Sequence, residues 1–320
     1  MFYPIKIFAD WLSCAVFGLS PETIFGEAVN FFIYDTIKIF ILLAVIIFAV
    51  SFLRTFLPKR KIKKILSRHN KYFGHFLAAV FGIITPFCSC SAVPLFLGFT
   101  EAGVPLGITF TFLVASPMIN EVALVLLLGM FGLKIALFYV FSGLTIAIFS
   151  GIVIGKLKTE NLIKNFSFDE KTENLRNDSK KIQLRRRILY AKNYTTKIIK
   201  KVWPYIFIGI GFGALIHGYV PADFLAKYTS ANEWYAVPIA TLIGIPLYSN
   251  AAGVIPIVNA LFEKGVPLGT ALAFMMAVTA LSLPEFLILK KVMKTKLIII
   301  FATVVGLGII FTGYFFNLVF

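Results

Sequence analysis

Two polar clusters interrupt long apolar stretches of this chain: Pro86-Phe-Cys-Ser-Cys-Ser91 and Pro246-Leu-Tyr-Ser-Asn250. In the first, Cys88 and Cys90 offer a soft thiolate pair, which suits Cu(I), a thiophilic metalloid or another soft ion. The bland alternative is that Cys88, Ser89 and Cys90 are small, weakly polar residues that let backbones approach closely. One residue apart, the two thiols fit poorly into a relaxed disulfide. Cys14 could supply a third thiolate but is expected at the outer surface. The second cluster has no cysteine. Tyr248, Ser249 and Asn250 instead bring hydroxyl, amide and carbonyl oxygens suited to a cation or a polar solute. Pro86 and Asn120 stand beside these groups as break residues. Glu121 and Glu285 are the deepest acids in the apolar sequence. A carboxyl at that depth is costly, so it defaults to a functional role as a carrier of a coupling proton or ion; the alternative is a Glu near the interface, paired to Lys. His75 and His217 fall near the ends of apolar stretches and read as interfacial, and Glu101 and Glu263 read as turn residues.

These groups need elements to hold them, and composition says which kind. The chain has 320 residues, 59% apolar and 16% aromatic, with 14% charged against about 25% in ordinary globular proteins. That excludes a soluble enzyme, a disordered regulator and a disulfide scaffold, and leaves an all-α polytopic membrane protein. Stretches of ~20 apolar residues can cross the bilayer; they occur at 37–57, 74–100, 106–130, 131–155, 202–220, 236–262, 266–289 and 297–319. The net charge of +16 is concentrated: eight basic residues lie in 54–71, fourteen in 156–201, and Lys290, Lys291, Lys294 and Lys296 form a third group. Basic loops between apolar spans mark the cytoplasmic face. They lack the interleaved aromatics of a base-stacking platform, so no nucleic-acid partner is expected.

The chain repeats itself. Glu101-Ala-Gly-Val-Pro-Leu-Gly107 returns as Glu263-Lys-Gly-Val-Pro-Leu-Gly269, an offset of 162 that also carries Pro94 onto Pro256. The organisation expected is a 1–35 interfacial segment, a first membrane repeat at 36–157, a basic cytoplasmic linker at 158–201 and a second membrane repeat at 202–320. Three apolar stretches between two cytoplasmic loops require one of them to enter and return. The best candidate is 74–100, with its tip at Pro86–Ser91, although 106–130 is open as an alternative. Carried through the second half, this predicts two inverted-topology repeats with broken or re-entrant helices at midplane, a pattern of secondary transporters.

Pro86–Pro94, Gly103–Gly107 and Ala115-Ser-Pro-Met-Ile-Asn120, with Trp203–Gly211, Gly244–Asn250 and Leu281–Glu285 in the second half, resemble the large family of bacterial and archaeal predicted permeases. That family includes the organoarsenical efflux permease ArsP and relatives associated with copper or zinc efflux. The resemblance implies a multi-spanning permease and favours export over uptake. Tyr-Ser-Asn at the second break departs from the metal-associated relatives and speaks against a thiolate-rich metal site. The reading is a multi-pass cell-membrane permease coupled to an ion gradient, with a metalloid, organoarsenical or soft metal ion as cargo. It needs no cofactor and has no phosphate-binding Gly-rich loop. Its partners are the lipid bilayer and a small-molecule or ion substrate, with room for a homo-oligomer. The rivals are a membrane thiol oxidoreductase using Cys88 and Cys90, and a permease for a non-thiophilic small solute.

Overall fold

The computed structural model describes residues 3–16, 18–19, 23–54, 71–85, 89–101, 103–119, 121–157, 159–163, 180–219, 234–247 and 251–320. Every regular element among them is helical. Helix α1 (Tyr3–Trp11) ends in a π turn at Leu12–Val16, and α2 spans Ile24–Arg54. Then come α3 (Lys71–Ile84), α4 (Ser89–Glu101), α5 (Leu106–Met118) and α6 (Glu121–Lys156). The second half holds α7 (Lys180–Tyr219), α8 (Ala236–Gly244), α9 (Ala251–Glu263), α10 (Leu268–Ala280), α11 (Leu283–Val292) and α12 (Thr295–Val319). Three described helices are long and apolar enough to cross a bilayer, at Phe25–Ala49, Ala123–Lys156 and Thr295–Val319. Helices α10 and α11 add a fourth as one span bent by 42°. The chain is an all-α polytopic membrane protein.

The duplicated motif folds into the same turn twice. After α4, Gly103 takes φ 78°, its N–H donates to Thr100 O (3.0 Å), and Val104 N–H reaches back to Phe99 O (3.0 Å). After α9, Gly265 takes φ 84°, with Gly265 N–H to Phe262 O (2.9 Å) and Val266 N–H to Leu261 O (3.0 Å). This is a Schellman cap, and it requires the left-handed conformation that glycine adopts freely. Pro105 and Pro267 follow in extended backbone, and each opens a thirteen-residue helix, α5 or α10, whose residues are all buried. Helices α4 and α9, and likewise α5 and α10, start and end at the 162 offset.

Packing repeats as well. Gly82 of α3 sits against Phe112 O, Ala115 Cβ and Ser116 N; Gly244 of α8 sits against Phe274 O, Ala277 Cβ and Val278 N. Gly107 lies against Gly151 O, and Gly269 against Gly313 O. In the first half, His75 Nδ1 is 2.7 Å from Thr111 Oγ1. From His75 to Gly82, α3 therefore advances in the same direction as α5 from Thr111 to Ala115. Parallel neighbours joined through α4 require α4 to run back between them. The 74–100 stretch is thus two helices with reversed direction, parted between Ile84 and Ser89.

Two expectations need correcting. Helix α2 begins thirteen residues before the apolar stretch at 37, because Thr23 caps it: Gly26 N–H donates to Thr23 Oγ1 at 3.1 Å. The spans at 106–130 and 131–155 are divided differently. Helix α5 ends at Met118, one residue past Pro117, and α6 runs from Glu121 to Lys156 with non-helical backbone at Gly132 (φ 82°, ψ 172°). His75 lies near the start of α3, as expected of a span end, and is buried against Gly107 and Thr111. In addition, α7 continues without a break from the basic residues at 180–201 into its apolar half.

Helices α6 and α12 frame the molecule. Phe138 meets Phe315 and Phe316 at 6.1 and 6.5 Å, whereas Ile146 meets Gly308. The two helices therefore run antiparallel, and Ile146 touches the residue that stands 162 positions on. At one end of this pair, Lys156 lies near the 159–163 turn, whose Leu162 O accepts from Lys294 N–H at 2.8 Å, and Ile163 bridges Met293. At the other end, Lys134 stacks over the Phe320 ring (5.0 Å), and Tyr314 OH donates to Trp234 O.

Candidate functional site: four helix breaks at mid-height

Each broken stretch stops near half the height of α6 and α12. Ile119, just past α5, packs on Gly143, and Leu281, just past α10, packs on Gly306. Gly143 and Gly306 are close to the middle of the straight parts of their helices. Gly82 is level with Ala115 and Ser116, so the end of α3 comes to the same height. In the second half, Leu283 N–H donates to Ile245 O at 2.9 Å, which ties the start of α11 to the end of α8. A thirteen-residue helix such as α5 is ~20 Å long, short of a ~30 Å hydrocarbon core, as a half-span requires.

Non-helical backbone at this depth is tolerated only when its polar groups are satisfied or face a cavity. Several carbonyls here have partners. Thr85 Oγ1 donates to Phe81 O (2.7 Å) and Gly82 O (3.2 Å) at the end of α3. The buried Tyr139 hydroxyl, from α6, donates to Met118 O at the end of α5. Ile119 N–H and Leu281 N–H close the last turns of α5 and α10 onto Ala115 O (3.0 Å) and Ala277 O (2.9 Å). Helices α4, α6, α9 and α11 start at these breaks. Their partial positive ends accompany the partial negative ends of α3, α5, α8 and α10. Such a place can bind an anion at the N-termini and a cation at unwound carbonyls.

Of the candidate cargo and coupling residues at the breaks, Glu285 is the one whose side chain is placed among the described residues. It lies in the first turn of α11, after the extended Ser282, and is completely buried. Ser89 and Cys90 open α4, and Glu121 opens α6. Pro86, Cys88, Asn120, Tyr248, Ser249 and Asn250 lie outside the described residues. Cys14 is exposed on the N-terminal segment, and Glu263 accepts a hydrogen bond from Asn259 (2.8 Å) at the end of α9. Among the described residues no group of three or more His, Cys, Asp or Glu could hold a metal ion.

Sequence reading missed an ion pair in α2. Lys38 Nζ is 3.6 Å from Asp35 Oδ1 and 5.2 Å from the centre of the Tyr34 ring. The i, i+3 spacing of opposite charges between apolar residues of the helix was the signal for it.

Length, turns and packing describe a duplicated membrane protein, and comparison with known sequences gives its family. The chain matches the predicted permease family ArsP_1 over residues 24–318. It is a member of that family. A UPF0718 protein of Methanocaldococcus jannaschii is 27% identical over 315 residues, covering 77% of this chain and 84% of the relative. A Streptococcus mutans protein named as a two-component membrane permease complex subunit is 28% identical over 259 residues, 80% of each chain. The UPF0718 protein YcgR of Bacillus subtilis is 33% identical over 79 residues, about a quarter of each chain (25% and 27%). No solved structure matches. Family and fold together make this ArsP_1 member a membrane transporter.

Proposed function

We propose that the protein is a secondary-active permease that exports a small metalloid, organoarsenical or soft metal ion in exchange for a coupling ion. It works through two inverted repeats, 36–157 and 202–320, joined by a cytoplasmic linker at 158–201. The observation that carries this reading is the meeting of broken helices at mid-height, repeated at the 162 offset. Two features support the inversion. Helices α6 and α12 run antiparallel through equivalent residues. The two copies of the glycine–proline turn also lead to opposite ends: Gly107 packs by Gly155, next to Lys156, and Gly269 packs by Asn317, near the C-terminus. Lys156, Lys290, Lys291, Lys294 and Lys296 gather at one end, which the charge rule assigns to the cytoplasm.

In this mechanism the cargo sits between the breaks, on Cys88, Ser89 and Cys90 from one side and on Tyr248, Ser249 and Asn250 from the other, with Pro86 and Asn120 shaping the unwound backbone. Cys88 and Cys90 hold a soft metal cargo through sulfur. Glu285, and Glu121 near the equivalent position, exchange the coupling ion. A carboxyl buried as fully as Glu285 is costly to ionise, so its occupancy by a proton or cation is linked to the state of the site. The name of the Streptococcus mutans relative supports assembly with a second component.

The test is flux in proteoliposomes loaded with arsenite, antimonite, a trivalent organoarsenical, Cu(I) or Zn(II) under an imposed pH or sodium gradient. Gradient-driven transport of one of these is expected, and Glu285→Gln should abolish it while membrane insertion stays intact. Full-rate transport by Glu285→Gln with unchanged pH dependence removes Glu285 from the cycle. Conduction that ignores the gradient replaces the permease with a channel.

A further inference from the structure

The two repeats pack alike beside their glycine–proline turns, but the first does so with polar side chains. There, a methyl on Gly151 would strike Thr111 and Gly107 O, and a methyl on Gly107 would lie 3.1 Å from His75 Cε1. In the second repeat, a methyl on Gly313 would lie 2.5 Å from Val237 Cγ1 and 3.0 Å from Ala273 Cβ. Val237 and Ala273 stand 162 positions after His75 and Thr111, and all four are buried. Ser116, buried five residues beyond Thr111, is likewise matched by the buried Val278. Valine and alanine fill this place in the second copy, so packing does not require an imidazole and a hydroxyl in the first. A buried polar group lowers stability unless it is hydrogen-bonded, and its presence in one copy alone points to a use other than packing.

The hydrogen bonds fix the state of the ring. Thr111 Oγ1 donates to Gly107 O at 3.2 Å, so its lone pairs are left for the imidazole, and His75 Nδ1–H donates to it at 2.7 Å. A neutral imidazole with its proton on Nδ1 carries a lone pair on Nε2. Among the described residues Nε2 has no hydrogen-bond partner, and the residue keeps 7% of its surface exposed. His75 stands seven residues before Gly82, which is level with Ser116. It therefore lies ~10 Å from the end of α3 at the break, toward the end of the molecule that carries Lys156. Histidine is the side chain whose ordinary change of charge falls near neutral pH.

We propose that His75, oriented by Thr111, passes the coupling proton between the mid-height breaks and water at the basic end. Nε2 takes a proton from the side of the breaks, and the ring becomes an imidazolium with Nδ1–H still on Thr111 Oγ1. Release of the Nε2 proton to water at the basic end restores the neutral ring. The proposal rests on the permease reading and adds that its coupling ion is a proton. Helices α5 and α6 pack on α3. Helix α5 carries no titratable residue. On α6, Lys156 is exposed just past Gly155, whereas Tyr139, Lys134 and, by position, Glu121 lie at or beyond the break. On α3 itself Tyr72 is exposed and Lys71 precedes it. Phe99 of α4 meets Phe81 of α3 (6.2 Å), so α4 adds Glu101 near its end and Cys90 near its start, by position.

The experiment writes the second copy's residues into the first. His75→Val with Thr111→Ala has a packed counterpart in the same chain, so it should fold and insert. The full chain is assayed in proteoliposomes with arsenite, antimonite, a trivalent organoarsenical, Cu(I) or Zn(II). The double variant should lose the flux that an imposed pH gradient drives and keep cargo counterflow, which moves no net proton. Full pH-driven flux in the double variant overturns the proposal and leaves His75 a packing residue. Loss of counterflow from an inserted double variant also overturns it, because the pair then serves the cargo. Should the double variant fail to insert, 15N-histidine NMR of the full chain with His69→Gln and His217→Gln follows His75 alone. Its ring should change protonation over the pH interval in which wild-type transport changes, and a ring that does not overturns the proposal. Wild-type flux that follows a sodium gradient alone refutes His75 as a proton carrier and leaves the permease reading standing. No gradient-driven flux of any of these cargoes in the wild type refutes both.

Discussion

Gly269→Ala tests the packing on which everything above depends. A methyl added at Gly269 would lie 2.0 Å from Gly313 O, 2.6 Å from Asn317 Oδ1 and 2.8 Å from Asn317 N. Two of those three atoms are backbone, so no rotamer change clears them. Reaching an ordinary contact of ~3.3 Å means moving α10 away from α12 by about 1.3 Å, and a gap of 0.5–1 Å already forfeits a quarter to a half of each contact's dispersion energy. The expected cost is about 3 kcal/mol, the upper end for overpacking a filled core. Gly107→Ala meets Gly151 O at 2.5 Å and Gly155 Cα at 3.0 Å, so about 2 kcal/mol is expected. Gly82→Ala and Gly244→Ala meet Ala115 Cβ and Ala277 Cβ at 3.0 and 2.9 Å and should cost about 1 kcal/mol or less. Equilibrium unfolding in mixed detergent micelles titrated with dodecyl sulfate would rank the four. Gly269→Ala as stable as wild type, or Gly82→Ala the least stable of the set, refutes the helix positions.

Tyr139→Phe strips the donor from Met118 O and should destabilise by about 1–3 kcal/mol in the same assay; a neutral result means that carbonyl is satisfied another way. Cysteines placed singly at Arg60, Glu170 and the exposed Lys294 in a Cys-free background should label from the cytoplasmic side, and one at Tyr228 from outside; opposite sides for Arg60 and Glu170 break the inverted arrangement. Replacing Cys88 and Cys90 by Ser should remove protection against a soft cargo, and Ser249→Ala with Asn250→Ala should impair transport of any cargo. Loss at the cysteines alone points to thiol chemistry; loss at Ser249 and Asn250 alone points to a cargo that is not thiophilic.

The turns were readable because glycine and proline act locally. Gly103-Val-Pro105 and Gly265-Val-Pro267 specify a left-handed cap and an extended residue whatever surrounds them, so the repeat in sequence became a repeat in backbone. The hairpin break was readable for the same reason, from Pro86 among small polar residues. The break after α5 was harder. Pro117 signals it, but Leu106 to Met130 is apolar on both sides of it, and hydropathy alone continues straight through. In the second half no proline stands at position 279. The stop comes instead from Ser282 in extended backbone before Pro284, a pattern that also fits an ordinary helix start. The Asp35–Lys38 pair escaped because hydropathy opens the span at 37, between the two charges, and leaves Asp35 outside it. Two opposite charges three residues apart cancel, and the helix carries them into its middle. Glu285 was found by depth alone, and its burial agrees with that depth.

The contact between Ile146 and Gly308 bears on how the two halves came to differ. Residues that stand at the same place in each copy meet here, so an unmodified duplicate would have faced itself with one residue type. Two isoleucines do not fit, since even a methyl on Gly308 would come within 3.0 Å of Ile146 Cγ2. Two glycines would leave a hole. A knob on one helix and a socket on the other becomes available only when a single chain encodes both copies and each can mutate alone. This contact between the halves is thus a lock that an assembly of two identical pieces could not have made.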